Sequence, residues 1–143
     1  MNLSKNFTLE ELTVTKSGLA NKPNLEQVGR LTDLCVNVLQ PLRELYGNSI
    51  TINSGFRSEA VNQAIGGAAT SQHCKGEAAD CDTADNAKLF RIIREHLMFD
   101  QLIWEGGDNI QPAWVHVSFH KEHNRGEVLK MKKVDGKSTY EKL

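Results

Sequence analysis

The sequence carries no excess of either charge: 17 lysines and arginines stand against 18 aspartates and glutamates, for a formal net charge of -1. Neither sign gathers into a block, and the densest basic group is Lys130, Lys132 and Lys133, read as a solvated tail. The electrostatic footprint of a nucleic-acid binder is missing, so no nucleic-acid partner is expected. Cysteine is scarce as well. Cys35, Cys74 and Cys81 are an odd number with no CxxC spacing, which argues against a disulfide framework and predicts three free thiols. No apolar run approaches the ~18 residues of a membrane span. The opening MNLSKNFTLEEL has acids where a signal peptide needs an apolar stretch, so synthesis in the cytoplasm without an export signal is expected. Repeats and low-complexity segments are lacking too. At 143 residues the expectation is one monomeric domain that holds a core without structural metal.

Periodicity is what the sequence does contain. FTLEEL, residues 7–12, predicts a helical turn in which Thr8 caps and Glu11, three positions on, completes a capping box. A loop over 13–24 leads to a long amphipathic helix capped by Asn24 with Gln27. Its apolar stripe runs Leu25, Val28, Leu31, Leu34, Cys35, Val38, Leu39, Leu42 and Leu45. Pro41 should kink or interrupt it near Gln40, and Gly47 with Asn48 should end it. SITIN, residues 49–53, reads as a strand, and SGFRS turns from it into a short helix. GGAATSQHCKG is too rich in glycine and small residues to be regular. EAADCD reads as a strand, Thr83 or Asp85 starts another helix, and FDQLIWE and PAWVHVSF form two antiparallel strands around GGDN. The order predicts an α+β domain with a small, mostly antiparallel sheet and helices packed on it. Residues 124–143 lack apolar periodicity and are expected to hang as a loose tail.

The chemistry concentrates in SQHCKGEAAD, Ser71 to Asp80, and WVHVSF, Trp114 to Phe119. Strand alternation puts Ala78, Asp80 and Asp82 on one face, and Trp114, His116 and Ser118 on one face of the later strand. His73 precedes Asp80 in a loop where Gly76 lets the chain turn. Two imidazoles and a carboxylate are a sufficient ligand set for a catalytic zinc, which takes three protein ligands and keeps a position open. Cys74, beside His73, is a soft-ligand alternative, although lone cysteines are more often small buried hydrophobes. His120 and His123 in HKEHN read as a solvated turn, and His96 as a helix-ending cation without a function.

SQHCKGEAAD followed by WVHVSF resembles the zinc D-Ala-D-Ala peptidase family, with its SxHxxGxAxD signature and later strand histidine. That family includes bacterial D-Ala-D-Ala carboxypeptidases, vancomycin-resistance dipeptidases and phage L-Ala-D-Glu endolysins. The segment PLRELYGNSITINSGFRSEAVNQAIGGAATSQH is similar to the family's arginine-bearing strand-turn-helix and its glycine pair. FTLEEL and NKPN resemble the opening of the compact phage and prophage branch. The resemblance implies the hedgehog/DD-peptidase-like fold, Zn2+ on His73, Asp80 and His116, substrate binding by Arg57, and a place for Ser71 in the substrate cleft. It also implies a peptidoglycan peptide as substrate. A rigid guanidinium fork suits Arg57 to a peptide carboxylate or a carbonyl oxygen gaining charge; the plain alternative is an arginine at a helix start paired with a nearby acid.

The sequence departs from the family where many members place an acid three residues before the last histidine, because that position is Ala113. Glu105, at the end of LIWE, is the predicted general base, with Asp108, Asp82 and His120 as weaker choices. Ala113 also keeps open a non-enzymatic zinc-binding module of the same fold, used for attachment or assembly. A metal-free cell-wall-binding module is a third reading, opposed by the intact ligand set.

Overall fold

The computed structural model describes all 143 residues. Its helical layer begins with α1 (Leu9–Leu12), where Thr8 and Glu11 form the reciprocal capping box. Asn24 and Gln27 do the same at the start of α2 (Leu25–Leu34). The long helix does not stop at Pro41. It passes through a π-helical turn (Cys35–Leu39) into α3 (Gln40–Tyr46), with the Gln40 N–H bonded five residues back to Cys35. A widened turn one step before the proline gives the ring room and removes the demand for its missing N–H. Leu31, Leu34, Val38, Leu39 and Leu42 are fully buried, each burial worth about 1.5–3 kcal/mol. Leu25 and Leu45, at the two ends of the predicted stripe, are exposed instead. Gly47 ends α3 in a left-handed conformation.

The second layer is a sheet in the order β1-β2-β4-β3-β5-β6. It comprises β1 (Thr51–Ser54), β2 (Ala78–Asp82), β3 (Gln101–Glu105), β4 (Trp114–Ser118), β5 (Glu127–Val134) and β6 (Lys137–Lys142). Every pairing is antiparallel except β3 with β5. The α+β architecture with a mostly antiparallel sheet is therefore the observed one. Short α4 (Glu59–Ala64) follows β1, and α5 (Asn86–His96), capped by Asp85, follows β2. Ala79, Cys81, Leu102, Val115 and Val117 face the helices and join the core with Leu89, Phe90 and Ile93 of α5. Cys35, Cys74 and Cys81 are all free thiols, and burial pushes Cys35 up to about 12.

Residues 124–143 correct the sequence reading, because they form no loose tail. β5 adds to β3, and β6 folds back on β5 across a two-residue turn, Asp135–Gly136, in which both residues have positive φ (51° and 78°). Asp-Gly is the pair that such a hairpin turn prefers, so a local signal was present. Apolar periodicity fails to find this hairpin because only Met131 of β5 is buried. Backbone pairing with β3 attaches it, helped by buried Met131 and by Val128 against the core.

Candidate active site

Register builds the site. Asp80 on β2 stands opposite His116 on β4, and His116 stands opposite Ile103 on β3. Cross-strand partners share a face, so the Asp80–His116 row lies on the side of the sheet away from α5. One row along, Trp114, Glu105, Met131 and Tyr140 are consecutive partners across β4, β3, β5 and β6. On β1 a bulge between Ile52 and Ser54 brings Ser54 opposite Asp80 and sends the following Gly55–Arg57 segment over the same face.

His73 arrives from a 3-10 turn (Gln72–Lys75), capped by Ser71, whose Oγ accepts the His73 N–H at 3.2 Å. Gly76 then returns the chain to β2. Its φ is +79°, and a Cβ there would lie 2.8 Å from the Gln27 carbonyl oxygen, so both the turn and the close approach require glycine. The Arg57 N–H donates to the His73 carbonyl at 3.1 Å, tying the β1 segment to this turn.

The donor atoms have the chemistry and the spacing of a metal site. His73 Nδ1 lies 2.7 Å from the Gly55 carbonyl oxygen, which can only accept. Nδ1 therefore carries the proton, and the Nε2 lone pair faces Asp80 Oδ1 at 3.4 Å. His116 Nδ1 faces the same oxygen at 3.2 Å. Donors bound tetrahedrally at about 2.1 Å from zinc would stand about 3.4 Å apart. All three ligand atoms lie within 4.8 Å of one another. His73, Asp80 and His116 are 4%, 8% and 7% exposed, so the cluster is shielded from bulk water. Burial works against the Asp80 charge, whereas positive charge at the facing imidazole positions holds the carboxyl well below the usual range, so the pocket favours a cation beside Asp80. A divalent cation fits these residues. Cys74 is only half-buried, and the three-residue metal-ligand cluster does not include it.

Arg57 flanks the cluster. Its Nε donates to Ser54 Oγ at 3.0 Å, one terminal nitrogen donates to Asn62 Oδ1 at 3.1 Å, and the other faces Asp80 Oδ2 at 3.6 Å. The neighbouring acid of the plain reading is thus Asp80, the carboxylate of the cluster itself. Sequence reasoning missed Asn62, which is buried and also donates to the Ala68 carbonyl. The glycine pair could have pointed to it: a Cβ on Gly67 would come within 2.0 Å of Asn62 Oδ1.

Glu105 is 7% exposed, on the same face as His116. Burial pushes its carboxyl up to about 7; the Asp80 charge adds to the rise, while His116 and Arg57 oppose it. A carboxyl poised there can take and return a proton near neutrality. The other proposed acids are engaged elsewhere. Asp108 is exposed and caps the Ile110 and Gln111 N–H groups, and Asp82 accepts from Asn86. His120 sits in an exposed turn, accepting from the Glu122 and His123 N–H groups, and His96 ends α5 in solvent. A cleft of about 560 Å³ opens past the end of β3, lined by Gly106, Gly107, Ala113, Trp114, Lys130 and Met131 among others, with none of the cluster residues, Arg57 or Glu105 in its wall.

Over 95 residues the chain is 38% identical to the zinc D-Ala-D-Ala carboxypeptidase of Streptomyces albus G. That alignment covers 64% of this chain and 37% of the relative, so the chain spans little more than a third of that protein. The peptidase M15 model matches residues 5–118, from before α1 to the last residue of β4, and so takes in every member of the cluster. A match over well over half of the sequence settles the family: this chain belongs to the M15 peptidases.

Proposed function

We propose that this chain is a zinc-dependent peptidase that hydrolyses peptide bonds in the stem peptides of bacterial peptidoglycan, as a D-Ala-D-Ala carboxypeptidase or an L-Ala-D-Glu-type endopeptidase. The observation that carries the reading is the buried His73–Asp80–His116 cluster with a protonatable Glu105 on the same sheet face. His73 would offer Nε2, His116 Nδ1 and Asp80 Oδ1 to the ion. When bound, zinc supplies an electrophilic centre that brings the pKa of a water to around 7 and polarises a carbonyl.

The remaining work falls to the chain's own residues. Arg57, held by Ser54 and Asn62, presents a guanidinium beside the cluster to the carbonyl oxygen as it gains charge, or to a terminal carboxylate. Glu105 takes the proton of the attacking water on its carboxylate and delivers it to the departing amine. Its buried position makes both halves of that transfer feasible near neutral pH. Ser71 caps the turn that positions His73 and would meet the substrate there, as the family resemblance implies. Glu105 thereby answers the absence of an acid at Ala113, which favours the peptidase over a non-enzymatic module. Similarity of FTLEEL and NKPN to the phage and prophage branch supports action on the cell wall after release from the producing cell.

The test is to incubate zinc-loaded protein with purified peptidoglycan and to identify the products by mass. Free D-alanine marks a carboxypeptidase, and new amino-terminal D-glutamate marks an endopeptidase. Bound zinc without any released amine would overturn the enzyme in favour of the attachment module.

A further inference from the structure

A line of hydrogen bonds from Arg125 ends on His116, and the reaction just described uses none of its intermediate members. Asp100, 8% exposed just before β3, accepts from Arg125 three times: Nε to Oδ1 at 2.9 Å, a terminal nitrogen to Oδ2 at 2.9 Å, and the backbone N–H to Oδ1 at 3.0 Å. Gln72 Nε2 donates to Asp100 Oδ2 at 3.1 Å. At the other end of the same amide, Gln72 Oε1 lies 2.9 Å from His116 Nε2.

The polarity of this line runs in one direction. A guanidinium only donates, and an ionised carboxylate only accepts. Asp100 must therefore receive the NH2 end of Gln72, whichever way the amide is first drawn. That leaves the Gln72 oxygen for His116, so His116 Nε2 must carry a proton. The lone pair is then on Nδ1, the atom that faces Asp80 Oδ1.

We propose that Arg125, Asp100 and Gln72 are positioning residues that fix the tautomer and ring orientation of His116, and so set the zinc affinity of the site. The proposal rests on the zinc reading above. Histidine ligands generally donate their second N–H to a supporting group, whose loss costs about 10- to 100-fold in metal affinity or activity. The two imidazoles differ in how they are supported. His73 leans on the backbone carbonyl of Gly55, which no side-chain substitution removes. His116 leans on a side chain, and through it on Arg125, which lies beyond the family-matched residues 5–118. The segment leading into β5 thereby acts on the metal site without touching it.

The experiment measures zinc affinity by competition with a chromophoric chelator, alongside the imidazole 15N signals of the zinc-loaded wild type. Gln72→Leu should weaken zinc binding about tenfold or more. Combining Gln72→Glu with Asp100→Asn should recover part of the loss, because the asparagine NH2 donates to the new carboxylate, which still accepts from His116, while the Arg125 bond to Oδ2 is given up. The 15N signals should show His116 protonated on Nε2 and bound through Nδ1, a readout that needs no variant to fold. Zinc affinity unchanged in Gln72→Leu, a double variant as weak as Gln72→Leu, or His116 protonated on Nδ1 would each overturn the relay. Failure of the wild type itself to bind zinc would instead overturn the zinc reading.

Discussion

The cluster formed by β2, β4 and the turn before them differs in kind from the hairpin formed by β5 and β6. In the first region the side chains that matter lie close in sequence, or on strands whose alternation is plain. Asp80 and His116 are direct partners, and His73 is seven residues from Asp80. The second region lies outside the family-matched stretch, has one buried residue in β5 and presents a β6 whose residues are all largely, though not wholly, exposed. Yet Met131 of β5 and Tyr140 of β6 continue the row in which Glu105 stands. The proton affinity of Tyr140 is raised by burial and then by the charges of Glu105 and Asp80. The cluster gathers the candidate metal donors, and the hairpin carries Met131 into register with Glu105 beside them.

The sharpest break of this contrast lies within the cluster. His116→Ala should remove zinc binding, measured by metal analysis after dialysis, and reduce peptidoglycan hydrolysis to background. Glu105→Gln comes next. It keeps shape and hydrogen bonding but cannot take a proton, so hydrolysis should fall by about 10²- to 10⁴-fold while zinc content stays unchanged. Asp108→Asn should leave the rate near wild type. Zinc loss in Glu105→Gln would make Glu105 a ligand, or a ligand's support, and dissolve the division between the two regions.

A smaller effect tests the hairpin's influence directly. The Glu105 carboxyl has an ordinary value of 4.5 and rises to about 7 in the fold. Below pH 4.5 it is protonated in both the folded and the unfolded chain. Between 4.5 and about 7 the unfolded chain loses the proton while the fold keeps it, so Glu105 makes stability decline as pH rises, until the decline levels off above about 7. Urea midpoints of zinc-free protein across this range should show that decline, and Glu105→Gln should flatten it. Met131→Ala should lower stability by about 2–5 kcal/mol. It should also admit water beside Glu105 and shift the decline to lower pH. The smallest effect lies on the hairpin's outer surface. Lys132 and Glu141 form an ion pair at 3.9 Å with both side chains more than half exposed, and Lys132→Ala should change stability by no more than about 0.5 kcal/mol.

The contrast also explains what was legible. Thr8 with Glu11, and Asn24 with Gln27, announce helix starts through contacts only three residues apart, and both boxes form. Strand alternation in AADCD and WVHVS assigns faces that the register bears out. Gln72 and Asp100 gave no comparable sign, because their partners, His116 and Arg125, are brought close only by folding; Asn62 meets Arg57 five positions away, without a motif that announces the pair. The hairpin carried one local sign, Asp135–Gly136, which apolar periodicity does not register.

By itself the sequence determined the helix caps and the strand faces and pointed to the His73–Asp80–His116 cluster that the fold brings together, because each depends on residues within a few positions or on a period of two. Only the tertiary structure decided the proton affinity of Glu105, the support of His116 and the attachment of the last strands. Those properties come from burial and from hydrogen bonds between distant segments. A carboxyl 7% exposed beneath neighbours from β4 and β5 titrates near 7, whereas the same glutamate in water does not.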